Sequence, residues 1–267
     1  MSVLENSALI GYSGFVGSTL MKQTTFHHLY RSTNITEIRN KSFDLAVCAG
    51  APAQKWIANK DPQADLDKIL ALIENLKTIQ SDFFILISTV DVFSNPIGVH
   101  EETPISENGL SPYGLNRRLL ENFVQERFKQ HLIVRLPGLV GPGLRKNIIF
   151  DFLHHNNLNA IDSRGIFQFY PMVNLWPDIE TARLAGLNAV HLTAEPISVA
   201  DVARLAFSKN FENLSTGTPA KYDMQTLHGR FFSGSGNYQY SKRETILAIR
   251  SFCQSEQKRD PSTELKS

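Results

Sequence analysis

The sequence predicts an α/β fold, a doubly wound parallel sheet with a small C-terminal extension. Three observations carry this. Short apolar runs alternate with amphipathic stretches through the first half, the first run opens directly into a glycine string, and two of the later stretches begin with a cap followed by proline. The runs are residues 8–10, 26–30, 44–49, 83–88 and 132–136, each short and apolar as a strand buried on both faces should be.

The intervening elements follow in order. After Ile10 a helix is expected over 18–22. Asp61-Pro62 joins an N-cap to proline at the first helical position, with Leu66, Ile69, Leu70, Ile73 and Leu76 on one face of the helix it starts. Ser111-Pro112 repeats the signal, and Leu119, Leu120, Phe123 and Phe128 supply the apolar side of a helix ending before Leu132. After Gly141-Pro142-Gly143 the elements become shorter. Helix starts are legible at Pro177, at Ser198-Val-Ala-Asp201, which resembles a capping box, and at Ser241-Lys-Arg-Glu244, which is one. The polar run from Glu256 has no periodicity and is expected to fray.

Composition narrows the class. A chain of 267 residues with 42% hydrophobic and 20% charged residues can bury a real core, as one large domain or a domain and a fraction. Lys and Arg exceed Asp and Glu by one, so no general field draws in nucleic acid or an anionic membrane. Cys48 and Cys253 match neither a disulfide framework nor a zinc spacing and read as buried thiols in a reducing compartment. The eight histidines form no HxxxH or HExxH pattern, so no metal site is expected. With no leader-like segment and no long apolar stretch, the expected setting is cytoplasmic, without a membrane or nucleic-acid partner.

The glycine string is Gly11-Tyr-Ser-Gly14-Phe-Val-Gly17, set between strand and helix. In that context glycines give a tight turn and let a pyrophosphate approach the helix N-terminus, so Gly11, Ser13, Gly14, Phe15, Val16 and Gly17 are candidate dinucleotide contacts; the competing reading is a structural turn. After the second run, where an NAD site carries a carboxylate for the ribose, this chain has Tyr30-Arg31-Ser32. Arg31 and Ser32 could instead bind a 2′-phosphate, which favours NADP (NADPH) over NAD, unless Arg31 is merely a solvated strand end.

GYSGFVG, VCAGAP with Asp61-Pro62, ILISTVDVF, SPYGLNR and VRLPGLVGPG occur in the order and spacing of the extended short-chain dehydrogenase/reductase family, which the chain resembles over most of 8–143 and more weakly to about 210. The resemblance implies a Rossmann-like NAD(P)-binding domain over 1–140, a small substrate-binding region over 141–255 and a flexible tail over 256–267. It also implies cofactor contacts from Ala49, Gly50, Ala51, Leu136, Pro137 and Gly138, and a possible homodimer through the helices after Asp61 and Ser111. In that family a strand-end Ser or Thr and a Tyr-x-x-x-Lys make the active site. Thr89 and Tyr113 fall at the hydroxyl and acid/base positions, and Arg117 replaces the lysine. A guanidinium can hold the tyrosine and the ribose but does not release a proton near neutral pH.

Val90 stands where the family's dehydratases carry an acid, so dehydration is disfavoured, and the family's helix asparagine has no counterpart over 66–72. Asp91, Arg145, Arg164 and Arg230, with Lys146, are candidates to hold a substrate, Asp91 beside Thr89 and the cations for a diphosphate. The runs Phe167-Gln-Phe-Tyr170 and Asn174-Leu-Trp176 could wall a sugar site or pack in the core. The expected activity is reduction of a keto group, or epimerisation of a hydroxyl carbon, on a nucleotide sugar or related metabolite. The alternative is a catalytically weak NADP-binding sensor or scaffold, which Arg117 would permit.

Overall fold

The computed structural model describes residues 6–232, 234 and 236–256; the expected tail beyond Glu256 and the serines of the 233–236 loop lie outside the described residues. In chain order the strands are β1 (Ser7–Ile10), β2 (His28–Tyr30), β3 (Ser42–Cys48), β4 (Gln80–Thr89), β5 (Ile97–Val99) and β6 (His131–Leu136). There follow β7 (Gly138–Val140), β8 (Ile166–Phe167), β9 (Phe169–Pro171), β10 (Ala189–His191), β11 (Ile197–Ser198) and β12 (Asp223–Met224). The helices are α1 (Phe15–Gln23), α2 (Lys55–Lys60), α3 (Pro62–Leu76), α4 (Pro112–Arg127), α5 (Ile148–His154), α6 (Leu175–Leu184), α7 (Val199–Phe207) and α8 (Lys242–Ser255).

Six strands form one parallel sheet in the order β10-β6-β4-β3-β1-β2. The five apolar runs supply five of them. The sixth, β10, comes from beyond residue 140, pairing Val190 with Val134, so the sheet reaches past the stretch assigned to it from sequence. Between β2 and β3 there is only a short 3-10 turn, Ile35–Ile38, and β2 is the sheet's edge. The sheet starts at β1, adds β2 on one side and builds β3, β4, β6 and β10 on the other. The order therefore reverses between β1 and β3, and the carboxyl ends of these two strands frame the crevice where doubly wound sheets bind ligands.

Alternation along the strands splits the core into two layers. Ala8, Ile10, Ala46, Cys48, Phe84 and Leu86 face α3 and α4, through Ile69, Leu72, Ile73, Leu76, Leu120 and Val124. Leu9, Leu45, Val47, Ile85, Leu132 and Val134 face α1 and α6, through Leu20, Leu175, Ile179 and Ala182. A third cluster joins α5, α7 and α8 through Phe152, Val202, Ile249 and Phe252.

Ser111 and Asp61 cap their helices through Gly114 and Ala64, Ser198 caps α7, and Ser241 with Glu244 completes a reciprocal capping box. Helix α6 begins at Leu175, ahead of Pro177, with no side-chain cap. Two expected core leucines face out instead: Leu70 is 42% exposed and Leu119 38%. Among the described residues no helix is long and apolar enough to cross a membrane.

Candidate active site

The glycine loop leaves β1 at the crevice. Gly11 holds φ +87°, and a Cβ there would stand 2.3 Å from the Ala49 carbonyl oxygen, so only glycine lets the loops after β1 and β3 touch. Gly11 N–H donates to Tyr30 O at 2.7 Å and Ala49 N–H to Ile10 O at 2.8 Å, carrying the sheet's bonding into the loop. Gly14 is the N-cap of α1 and offers no side-chain cap. The first N–H groups of the helix, from Phe15 and Val16, thus face the crevice without a side-chain acceptor, as an anion site requires. Ser13 and Gly14 are exposed and Gly17 is buried inside the helix.

Arg31 follows β2 at the outer lip. Its guanidinium lies 5.8 Å from the Tyr12 ring centroid and its Nε donates to Thr33 Oγ1 at 2.9 Å, which leaves both terminal nitrogens open among the described residues. Ser32 beside it is exposed. Ala49, Gly50 and Ala51 leave β3 on the inner side. Leu136 pairs with Thr89 across β6 and β4, so Leu136, Pro137 and Gly138 emerge beside the strand-end hydroxyl.

The sheet and α4 bring Thr89 and Tyr113 together. Thr89 ends β4, its Oγ1 accepting from Asp91 N–H at 3.2 Å. Tyr113 lies in the first turn of α4, where its N–H donates to Asn59 Oδ1 at 3.1 Å. A Cβ on Gly114 would sit 2.1 Å from the Asp91 carbonyl oxygen; its absence seats the helix against the strand-end turn. Tyr113 stands close to Thr89, and its hydroxyl is held above the ordinary phenol range. Burial is the main cause and the Asp91 charge adds to it, while Arg117, the Thr89 hydroxyl and Lys55 pull the other way.

Arg117 is 3% exposed, its guanidinium carbon 4.0 Å from the Tyr113 ring centroid. Both terminal nitrogens donate to Asp65, Nη2 at 3.0 Å; Nη2 also donates to Pro52 O, and Nη1 to Tyr113 O at 3.4 Å. Asn116 Nδ2 adds a third donor to Asp65 at 2.8 Å. Only Nε of Arg117 is buried without a partner.

Beyond Thr89 opens a cavity of about 410 Å³, floored by Asp91, Lys55 and Tyr222 and walled by Phe93, Leu110 and Pro219. Lys55 Nζ donates to Asp91 Oδ1 at 2.7 Å and to Tyr222 OH at 3.2 Å, and Tyr222 OH donates to Asp91 Oδ1 at 3.2 Å. Burial is the largest influence on Lys55 and acts downward, but the Asp91 charge and hydrogen bond, with Tyr222, carry it up to about 12. Phe167 stacks on Tyr222 with centroids 5.7 Å apart and lines a smaller adjoining cavity.

Of the substrate residues expected from sequence, Asp91 lines the main cavity and the three arginines do not. Arg164 clasps Asp162, with Nη2 at 2.6 Å and also on Ser215 O, tying a loop together. Arg230 lies over Phe231 at 4.8 Å and Arg145 is exposed. Lys146 donates to the Ala53 carbonyl, above the crevice loop. Phe169 and Tyr170 are core, and Trp176 packs edge-on against Phe26 at 5.7 Å on the far side of the sheet.

Sequence reading missed Lys55, Tyr222 and Asp65. Lys55 and Tyr222 meet Asp91 only through the fold. Asp65 was in view: it sits on the buried stripe of Ile69, Leu72 and Leu76, and a charge on such a stripe demands a partner.

No family profile matches this sequence, and no curated protein matches it in sequence. Solved structures do match in shape. A dTDP-4-dehydrorhamnose reductase from Bacillus anthracis, in complex with NADP, is 16% identical with a TM-score of 0.71 over 96% of this chain and 100% of that one. The protein RMD from Pseudomonas aeruginosa, complexed with NADPH, is 16% identical with a TM-score of 0.70 over 94% and 99%. A variant UDP-glucuronic acid 4-epimerase from Bacillus cereus, with NAD and UDP-4-deoxy-4-fluoro-glucuronic acid, is 16% identical with a TM-score of 0.67 over 93% and 98%. The chain has the fold of these proteins along nearly its whole described length.

Proposed function

We propose that this protein is an NAD(P)-dependent oxidoreductase of the extended short-chain dehydrogenase/reductase type, reducing a keto group, or epimerising a hydroxyl carbon, of a nucleotide sugar or related metabolite. The observation that carries the reading is the approach of Tyr113 to Thr89 at the end of the central strand β4, beside Asp91 and Ser111 of the cavity lining. Neighbours of the same fold that hold NADP, NADPH or NAD support it.

The crevice fits a dinucleotide. Its helix N-terminus is uncapped by side chains, its turn admits only glycine at 11, and the one unpartnered donor in the buried cluster, Arg117 Nε, lies under the tyrosine. Gly11, Ser13, Gly14, Phe15, Val16 and Gly17 would hold the pyrophosphate. Arg31 and Ser32 would take a 2′-phosphate, which is why NADP is favoured. Ala49, Gly50, Ala51, Leu136, Pro137 and Gly138 would line the rest. When bound, such a cofactor supplies or accepts hydride at a carbon bearing oxygen. The chain's own part is to hold that oxygen with Thr89 and to move a proton at the Tyr113 hydroxyl. Asp91, Lys55 and Tyr222 offer acceptors and donors for neighbouring hydroxyls, and Lys221 at the cavity wall is the cation placed to meet an anionic group. Neighbouring exposed leucines on α3 and α4, Leu70, Leu115 and Leu119, make these helices the proposed homodimer face.

The test is loss of dihydronicotinamide absorbance when NADPH is mixed with keto-sugar nucleotides. Tyr113→Phe should lower turnover by about 100-fold or more while retaining NADPH binding; undiminished turnover would remove Tyr113 from its role. The Asp65–Arg117 pair favours a second reading, because it occupies the family's proton-relaying position with groups that relay none. Tight NADPH binding with no turnover on a broad panel, in the native protein and in Arg117→Lys, would make this protein a cofactor-binding sensor.

A further inference from the structure

We propose that Asp65, which approaches neither the crevice loop nor the cavity wall, keeps Tyr113 a neutral phenol by its hold on Arg117 and so assigns the tyrosine to proton donation. The inference rests on the oxidoreductase reading and extends it to a positioning residue. A cation 4.0 Å from the ring centroid would by itself favour tyrosinate, the form that acts as a base in alcohol oxidation. Here that cation is not left to itself. Asp65 takes both terminal nitrogens of Arg117, the two side chains are 5% and 3% exposed, and Asn116 holds the carboxylate in register with an additional hydrogen bond.

The remaining groups facing the tyrosine are balanced as well. From α2, Lys55 is paired with Asp91 of the strand-end turn, and Tyr222 closes that triangle. Thr89 on β4 contributes a neutral hydroxyl, and Lys146 points to the Ala53 carbonyl. Two cation–carboxylate pairs thus flank Tyr113, and each carboxylate offsets part of its cation's pull toward tyrosinate. Burial then decides, and burial favours the uncharged phenol, in keeping with the raised position of this group. In reduction, as the carbonyl carbon takes up hydride from the dihydronicotinamide, the π pair of the C=O bond moves to oxygen. That oxygen takes the phenolic proton, and the tyrosinate left behind regains one from water in the cavity. A site built this way starts each turnover with the proton already in place.

The experiment follows the Tyr113 ring by carbon NMR of protein labelled at the tyrosine Cζ, the signal being assigned by its loss in Tyr113→Phe, alongside the pH profile of keto reduction. In folded Asp65→Asn the unopposed Arg117 should lower the ionisation midpoint of Tyr113 by about one unit or more, and the alkaline limb of the reduction profile should move down with it. A midpoint that stays where it is in the native protein overturns the proposal. Should Asp65→Asn not fold, Asp65→Asn/Arg117→Gln removes both charges together. The proposal then expects the midpoint within about half a unit of the native one, and a rise of about one unit or more would show that Arg117 acted unopposed all along. The ring titration needs no substrate, so a native protein that reduces nothing would end the oxidoreductase reading while the charge balance around Tyr113 is still decided.

Discussion

Helix α4 carries two buried arginine–carboxylate pairs one turn apart, and they differ in completeness. At the third turn, Glu121 receives Arg135 through Nε at 2.9 Å and Nη2 at 2.8 Å, Ser88 Oγ at 2.6 Å and Arg118 at 2.9 Å. The third nitrogen of Arg135 lies 3.1 Å from His191 Nε2, so every nitrogen of that guanidinium is used. At the second turn, Arg117 spends its terminal nitrogens on Asp65, Pro52 and the Tyr113 carbonyl and keeps Nε without a partner among the described residues. A saturated pair ties β4, β6 and α4 into one unit. The unsaturated one lies beneath the tyrosine, its Nε buried with no partner among the described residues. Equal burial therefore does not mean equal completeness.

The largest expected effect breaks the saturated pair. Glu121→Gln strands Arg135 and Arg118 in the interior and should cost about 3–5 kcal/mol of stability by urea denaturation, with NADPH affinity unchanged in the protein that still folds. Weakened NADPH binding out of proportion to stability would erase the distinction between the pairs. A smaller effect comes from pH. His191 donates Nδ1–H to Gln225 O and accepts from Arg135 at Nε2, an arrangement open only to neutral imidazole. Burial, opposed by the Glu101 charge and assisted by that of Arg135, pushes it down to about 4 from the ordinary 6.5 of a histidine. Unfolded protein then binds more protons than folded protein between those values, and stability falls as pH drops through them, by on the order of 1–2 kcal/mol. Glu101, held low by His191, Thr226 and backbone donors despite its burial, acts in the same direction at still lower pH. Urea midpoints measured from about pH 7 to about pH 5 should show the decline, and His191→Gln should flatten it.

Much of this was open to a reading of the chain, and the remainder has a physical reason for being hidden. The apolar runs and the cap-proline pairs are local signals, and they placed five sheet strands and helices α3 and α4. The glycine string, Thr89 and Tyr113 sit at element ends, where spacing along the chain fixes position in space. Lys55, Asp91 and Tyr222 come from three separate segments, and their meeting is a property of packing. Leu70 and Leu119 mislead because helical periodicity marks an apolar stripe without saying how wide a face the sheet covers. Asp65 and Arg117 lie between these cases. Each breaks an apolar stripe, Asp65 with Ile69 and Leu76, Arg117 with Leu120 and Val124, and opposite charges on two such stripes identify each other as partners.

The smallest predicted effect separates the pairs most sharply. Replacing a whole buried ion pair by apolar side chains is often near neutral, because desolvation is removed along with attraction. Asp65→Leu/Arg117→Met should therefore stay within about 2 kcal/mol of native stability, its cost limited to Asn116 and the carbonyls of Pro52 and Tyr113, which lose one partner each. The same exchange at Glu121 and Arg135 cannot be so mild, since it also leaves Ser88, Arg118 and Nε2 of His191 without partners. What Asp65→Leu/Arg117→Met does lose is the open Nε donor. If a bound dinucleotide completes that donor, NADPH affinity falls about tenfold, the worth of one charge-assisted hydrogen bond, by fluorescence titration of folded protein. Affinity that does not move would mean that Nε meets no cofactor atom, and that the Arg117 pair, like the Glu121 pair, serves only to fasten α4 to its neighbours.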